Sequence, residues 1–175
     1  MQLQPIAFVF LIALSACTQT KSKNVLVTDT VTKSIQIKKA LSAADIATLA
    51  KKQFAGYAPR LEDSDFVVDY TKVFVGDFTG DNQKDAVVYY SIAPRGGGNM
   101  VADIGLLLYE NEGVSLRFLM KYNPDYPAYC DTIKNGRIYM WKTEYKPADP
   151  RCCPSVKHAI ELTFANGKLG ERQIN

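Results

Sequence analysis

The sequence predicts an α+β fold: one N-terminal helix followed by an antiparallel β-meander of about seven or eight strands, forming an open sheet or a small barrel. Only one segment, residues 41–54, has apolar residues at helical spacing. After Pro59 the apolar segments are short and rich in β-branched and aromatic residues, which is typical of strands. Short loops with Asn-Gly or Glu-Gly separate several of them, and consecutive hairpins make an antiparallel meander.

Residues 1–16 are predicted to be a lipoprotein signal peptide. The apolar run from Ile6 to Leu14 suits a signal-peptide core and is shorter than the roughly 20 residues that span a bilayer. It leads into "LSAC", which ends at Cys17 and resembles the lipobox of bacterial lipoproteins. The resemblance implies that Cys17 is the first mature residue and carries lipid on its thiol. The alternative is an ordinary signal peptide with a chance cysteine.

A lipidated Cys17 predicts the location of the protein. Several acyl chains anchor a protein stably without a transmembrane helix. Thr18, not an aspartate, follows Cys17. By resemblance to lipoproteins of two-membrane bacteria, this implies the periplasmic side of the outer membrane. In a host with one membrane the expected location is the outer face of the plasma membrane.

Residues 17–40 are predicted to be a lipidated tether, and residues 41–175 a single β-rich domain. The tether has a net charge of +4 and the whole chain +3, so the domain carries −1. The tether's lysines could contact anionic lipid headgroups or simply be solvated. Its second half, with Val31, Ile35 and Ile37 on one side, could form a first strand. The domain has no basic patch with interleaved aromatic residues, so nucleic-acid binding is not expected.

The predicted helix begins after Ser42. Ser42 and Asp45 have the spacing of a capping box, in which each side chain binds the backbone N–H of the other residue. Gly56 and Pro59 are expected to end the helix. One apolar face should pack on the sheet, and it is formed by Ile46, Leu49, Ala50 and Phe54.

Eight segments are predicted to be strands. Asn135-Gly136 and Asn166-Gly167 are strong two-residue hairpin signals, and "NEG" at residues 111–113 is a third hairpin signal. The predicted strands are residues 66–78, 86–92, 102–110, 114–122, 129–134, 137–145, 155–164 and 168–174.

The loop "DFTGDNQKD" is the candidate metal site. Asp77, Thr79, Asp81 and Asp85 stand at its positions 1, 3, 5 and 9, and Gln83 at position 7 can offer its backbone carbonyl. Ca²⁺ takes six to eight oxygen ligands, which alternate residues of a tight loop can supply. The loop resembles the strand-loop-strand calcium loops of FG-GAP and VCBS repeats, and this implies a structural Ca²⁺. The alternative is a tight turn in which Asp and Asn bind their own backbone.

Cysteine parity leaves the disulfide pairing open. If Cys17 is lipidated, the three cysteines Cys130, Cys152 and Cys153 remain, and a disulfide is expected outside the cytoplasm. A bond between the neighbours Cys152 and Cys153 would be strained, because their Cα atoms are only about 3.8 Å apart across a trans peptide. We therefore expect Cys130 to pair with one of them and one thiol to remain.

His158 is the only histidine of the chain. Together with the three cysteines it could form a zinc site, but adjacent cysteines in an extended chain point to opposite sides. His158 also alternates with Ile160 and Leu162, so we expect it to be packed on the apolar face of a strand.

Two motifs resemble a family of exported bacterial lipoproteins. In that family "GDxxGDGxxDAVV" and "DPxCCPS" loops bracket a β-rich domain. This chain has "GDFTGDNQKDAVV" at residues 76–88 and "DPRCCPS" at residues 149–155. The mycobacterial LppP/LprE-type lipoproteins are a fainter resemblance. The family has no agreed activity, so the resemblance implies a fold and a compartment but no reaction.

The sequence favours a membrane-anchored binding or structural module of the cell envelope, with an envelope protein as the expected kind of partner. The tyrosines Tyr122, Tyr126 and Tyr129 are predicted to be exposed and available for contacts. One alternative is an inhibitor of an envelope-directed enzyme, since size and anchoring resemble periplasmic lysozyme inhibitors. Another is metal-assisted hydrolysis at the aspartate loop. We expect a protein without catalysis, because no nucleophile motif accompanies the single histidine.

Overall fold

A computed structural model describes residues 40–97, 100–150 and 153–174. They form one helix, one short 3₁₀ turn and eight strands, which confirms the predicted α+β class. The predicted signal peptide, Cys17, the predicted tether up to residue 39, and Cys152 lie outside the described residues. The helix is α1 (Ala43–Tyr57), and the 3₁₀ turn is Ala58–Arg60. The strands are β1 (Phe66–Gly76), β2 (Asp85–Pro94), β3 (Asp103–Asn111), β4 (Leu116–Tyr122), β5 (Ala128–Lys134), β6 (Arg137–Glu144), β7 (Val156–Ala165) and β8 (Lys168–Ile174).

Helix α1 begins as the sequence predicts. The Asp45 N–H donates to Ser42 Oγ, and the Ser42 N–H donates to Asp45 Oδ2, so the capping box is complete. Its buried face consists of Ile46, Ala50 and Phe54. The helix passes through Gly56 and ends at Tyr57, where the 3₁₀ turn with Pro59 follows. Glycine lowers helix propensity without stopping a helix that is held by packing.

The strands form two four-stranded antiparallel sheets and do not close into a barrel. Sheet A has the order β1-β2-β3-β4, and sheet B has the order β5-β6-β7-β8. The chain leaves sheet A at residues 123–127, where Pro124 and Pro127 cannot donate ladder hydrogen bonds. The predicted meander is therefore divided into two by this linker.

The three predicted hairpin turns are confirmed. Asn135 and Gly136 have φ angles of 52° and 71°, and Asn166 and Gly167 have φ angles of 53° and 72°. Two successive positive φ angles are what a two-residue type I′ turn requires, and they match the twist of the strands. The third turn contains Gly113 at φ 87°.

Sheet A lies between α1 and sheet B, with an apolar cluster on each side. The cluster under the helix joins Ile46, Ala50 and Phe54 to residues such as Val88 and Leu107. The cluster between the sheets contains Phe74, Phe78, Val87, Ile104, Leu106, Leu108, Ala128, Cys130, Ile138, Met140, Ile160 and Leu162. Because both faces of sheet A are covered, β2 and β3 are buried along nearly their whole length.

Within the described ranges, no helix is both long and apolar enough to cross a membrane.

Candidate functional site

The aspartate loop connects β1 to β2 and brings three predicted ligands together. Carboxylate oxygens of Asp77, Asp81 and Asp85 lie within 4.8 Å of one another, so the cluster could hold a metal ion. The backbone makes this possible at Gly80 and Asn82, which have φ angles of 83° and 68°. Glycine and asparagine are the residues that adopt this left-handed conformation most readily.

Each carboxylate of the loop also accepts hydrogen bonds from the loop itself. Asp77 accepts from the backbone N–H groups of Gly80 and Asn82, at 2.6 and 2.9 Å. Asp81 accepts from the backbone and side-chain nitrogens of Gln83, at 2.8 and 3.0 Å. These bonds are those of the tight-turn alternative, and each oxygen of Asp77 and Asp81 accepts one of them, which leaves lone-pair capacity for an ion.

Asp85 is the buried anchor of the loop. Its Oδ2 accepts from the N–H groups of Phe78 and Thr79 and from the Thr79 hydroxyl, at 3.0 to 3.1 Å. Its Oδ1 accepts from the Asn111 N–H at 3.1 Å and so ties the loop to β3. Burial raises the pKa of Asp85, and these hydrogen bonds oppose that rise. Thr79, one of the predicted metal ligands, therefore donates both its N–H and its hydroxyl to Asp85.

A second site, which the sequence did not predict as a whole, is a groove of about 620 Å³. We call it the tyrosine groove. Its volume is in the range of small-ligand pockets, which is about 300–1,000 Å³. It is lined by Tyr89, Met100, Val101, Ala102, Asp103, Ile104, Pro124, Asp125, Tyr126, Pro127, Ala128, Tyr129, Thr143, Tyr145 and Pro154.

Internal hydrogen bonds fix the walls of the tyrosine groove. The Tyr89 hydroxyl donates to the Ala128 carbonyl at 3.2 Å, which joins sheet A to sheet B. The Thr143 N–H donates to the Pro127 carbonyl at 2.8 Å. The Tyr126 hydroxyl donates to Glu171 Oε1 at 2.6 Å. Burial raises the pKa of Tyr89 and of Tyr126 to about 12, so both hydroxyls stay neutral at neutral pH.

The rim of the tyrosine groove is apolar and exposed. Met100, Val101 and Tyr145 have 56, 58 and 52% of their surface accessible. Large exposed apolar side chains that cluster at one concave site are typical of binding surfaces, whereas scattered ones are ordinary. The prediction that Tyr122, Tyr126 and Tyr129 are exposed is wrong in degree, since all three are half-buried. Tyr126 and Tyr129 nevertheless line the groove.

The pairing expected for the cysteines stays a prediction, because Cys152 lies outside the described residues. Cys130 is a buried, free thiol in the apolar cluster between the sheets. Cys153 is disulfide-bonded. The odd number of cysteines and the loop length could not show that the Cys130 side chain would point from β5 into the core.

The expectation that His158 is packed on an apolar face is only partly met. It stands on β7 two residues before the buried Ile160 but is about one-third exposed. Its Nε2 lies 3.3 Å from Glu144 Oε2 at the end of β6. Among the described residues, the aspartate loop is the one acidic, cysteine or histidine cluster with metal-ligand geometry, and His158 is not part of it.

No protein-family model, curated protein or solved structure matches this chain.

Proposed function

We propose that the protein is an exported, lipid-anchored module of the cell envelope that binds a partner in the tyrosine groove. The observation that carries this proposal is the groove itself: a concave site with a rigid, hydrogen-bonded frame and an exposed apolar rim. Ligand sites generally combine apolar and aromatic walls with a few fixed polar groups, and this groove has that composition. The predicted anchor at Cys17 would hold the domain at the membrane surface, on the periplasmic side of an outer membrane in a two-membrane host.

Site-specific photocrosslinking in living cells tests the proposal. The full, lipidated chain is produced with Tyr145→p-benzoylphenylalanine, which places the crosslinker on the rim of the groove. Illumination is expected to yield a covalent adduct of defined mass. A matched chain carries the crosslinker as Phe118→p-benzoylphenylalanine on β4, an exposed aromatic position that does not line the groove.

The adduct from position 145 should disappear when Tyr129→Ala opens the groove wall. Circular dichroism should show that this variant keeps its fold. Two results would contradict binding in the groove. One is the absence of any adduct from position 145, and the other is the same adducts in equal yield from position 118.

We further propose that the aspartate loop binds Ca²⁺ and that the ion stabilises the loop. Three carboxylates within 4.8 Å repel one another, and a hard divalent cation with oxygen ligands would relieve this repulsion. The loop lies directly between the paired strands β1 and β2, so a bound ion would add to the stability of their connection.

Thermal unfolding of the full chain in detergent tests the calcium proposal. A ligand that binds only the folded state stabilises it by about 2.7 kcal/mol at one hundred times its Kd, so millimolar Ca²⁺ should raise Tm and EDTA should reverse the rise. Asp81→Asn removes an exposed ligand and should abolish the response. Asp125→Asn removes an aspartate outside the loop and should retain it. A Tm that is indifferent to Ca²⁺ and EDTA would rule out the ion.

A further inference from the structure

We infer that the tyrosine groove binds a proline-rich peptide segment that carries a lysine or arginine and is held in the polyproline II conformation. This inference rests on the proposed function and specifies the partner. Three observations support it. They are the aromatic and proline walls, the sign of the charges that line the groove, and the contacts that hold the walls in place before a partner binds.

The walls have the composition that polyproline II peptides select. Four of the fifteen lining residues are tyrosines, and three are prolines. Aromatic-lined grooves dock extended proline-rich segments because the proline rings pack flat against aromatic faces. A polyproline II peptide loses little conformational entropy on binding, since it is already extended and has no internal hydrogen bonds to break. An exposed rim of Met100, Val101 and Tyr145 adds apolar area.

The charges that line the groove select against anions. In the part of the groove that the structure describes, the two charged lining residues, Asp103 and Asp125, are both acidic. Lys142 and Lys157 lie close by, over the rings of Tyr126 and Tyr129 at 5.1 and 5.5 Å from the ring centroids. They do not line the groove.

The two carboxylates differ in what they can offer a ligand. Asp103 already accepts hydrogen bonds from the Asn123 side chain and the Ile104 N–H. Asp125 is exposed on the linker between the sheets. Lys142 is already paired with Glu144 at 2.8 Å. It therefore competes only weakly with a cationic group of the ligand for the Asp125 carboxylate. Asp125 is therefore the residue that would meet a cationic side chain of the peptide, whereas a phosphate or carboxylate ligand would find no cation among the described lining residues.

The walls are fixed before any partner arrives, which lowers the entropic cost of binding. Pro124 and Pro127 restrict the linker, and the Pro127 carbonyl accepts from both the N–H and the hydroxyl of Thr143. Tyr89 and Tyr126 have their hydroxyls engaged. Their hydroxyls therefore have little need of polar partners from a ligand.

Calorimetric titration of the full chain in detergent with short synthetic peptides tests the inference. The probes are a proline-rich peptide with two arginines, the same peptide with alanine for proline, and the same peptide with glutamate for arginine. A chitin-type tetrasaccharide serves as the glycan probe. We expect the cationic proline-rich peptide to bind, and each altered peptide to bind at least about fivefold more weakly.

Three variants locate the binding. Tyr145→Ala should weaken the arginine peptide by about fivefold or more, because truncating an anchoring aromatic residue costs at least about 1 kcal/mol. Asp125→Asn should reduce the preference for arginine over glutamate peptides. Phe118→Ala, an exposed aromatic residue elsewhere on sheet A, should leave the affinity unchanged.

The outcomes separate the two proposals. Equal binding of the arginine and glutamate peptides overturns the inference. The inference also fails if the tetrasaccharide alone binds and Tyr145→Ala abolishes that binding. This second result would still support the groove as a binding site. If no probe binds while the crosslinker at position 145 still yields its specific adduct, the inference fails and the proposed function stands. If neither occurs, both fail.

Discussion

Cys130 shows how the position of a side chain in the core decides its reactivity. Its thiol is 6% exposed among the apolar residues between the sheets, and burial raises the pKa of Cys130 to about 12. The thiolate is the reactive form of cysteine, so a thiol with this pKa is almost wholly unreactive at neutral pH.

We predict that N-ethylmaleimide leaves Cys130 unmodified in the native protein and modifies it fully in guanidinium chloride. Mass spectrometry of the labelled peptides measures both states without reduction. The same peptide map assigns the disulfide: if Cys130 is free and Cys17 carries lipid as proposed, Cys153 should be joined to Cys152. Recovery of a peptide that links Cys130 to either neighbour would instead support the pairing expected from the sequence.

Single residues also explain features that a residue type alone does not show. Gly105 on β3 lies directly opposite Tyr90 on β2. A Cβ atom at Gly105 would come within 2.3 Å of the Tyr90 hydroxyl. The sequence presents Gly105 as a weak point inside a strand, whereas the structure shows that it makes room for a buried aromatic ring.

At the scale of elements, local sequence patterns were sufficient to predict the structure wherever a few adjacent residues determine the backbone geometry. The capping box of α1 and the Asn-Gly turns are such cases, since their backbone conformations follow from glycine, asparagine and serine chemistry. The eight strands lie at the predicted positions, with ends that differ by a few residues. The end of the helix was less predictable, because Tyr57 and Ala58, which follow Gly56, pack against the apolar cluster under α1.

The edge strands carry irregularities that the sequence pattern does not show. The pairing register shifts in β1 at Asp69, in β4 at Leu119 and in β5 at Asp131. Bulges on edge strands interrupt the ladder and hinder pairing with another chain. Two of the three bulges place an aspartate at the edge, which adds charge repulsion to the same effect.

An ion-pair network on sheet B predicts the acid sensitivity of the fold. Glu161 on β7 is 6% exposed and accepts hydrogen bonds from Arg137 on β6 at 2.8 Å and Arg172 on β8 at 2.9 Å. The hydrogen bond from Arg137 lowers the pKa of Glu161 below its ordinary value of 4.5. A depressed pKa stabilises the folded state above the unfolded pKa, and that contribution is lost as pH falls through 4.5 towards the folded pKa.

We therefore predict that Glu161→Gln lowers the free energy of unfolding at neutral pH and that the gap to the parent protein narrows as pH falls below 4.5. Urea denaturation across this pH range measures the gap. Glu112→Gln, which alters an exposed pair with Arg117, should change stability little at any pH. A gap for Glu161→Gln that stays constant with pH would show that the variant acts through packing and not through charge.

At the scale of the whole molecule, the parts that sequence reasoning missed are those made by residues far apart in the chain. The tyrosine groove takes Tyr89 from β2, Tyr129 from β5 and Tyr145 from the segment after β6. No local pattern announces that these tyrosines meet, because their meeting depends on how sheet B packs on sheet A. The aspartate loop was predictable because Asp77, Asp81 and Asp85 are neighbours within a single turn.

The two sheets are joined at their edges as well as through their shared core. Gly76 at the end of β1 approaches Ile133 of β5 so closely that a Cβ atom there would lie 2.8 Å from the Ile133 side chain. On the other side, Glu171 of β8 accepts hydrogen bonds from Tyr122 of β4 at 2.5 Å and from Tyr126 of the linker at 2.6 Å. Because of both contacts, we expect the sheets to unfold as one cooperative unit.

We predict that Glu171→Ala lowers the free energy of unfolding by about 1–2 kcal/mol, because two half-buried tyrosine hydroxyls lose a charged acceptor. The loss stays this small because Glu171 is itself solvent-exposed. Urea denaturation should be followed both by the fluorescence of Trp141, the single tryptophan, which reports on sheet B, and by far-ultraviolet circular dichroism, which reports on both sheets. The midpoints should fall together and remain coincident, since the sheets share one apolar cluster. Glu112→Ala is the surface control and should leave the midpoint nearly unchanged. Separate transitions for the two signals would mean that each sheet is stable alone, and the Tyr122–Glu171 contact would then be an incidental surface pair.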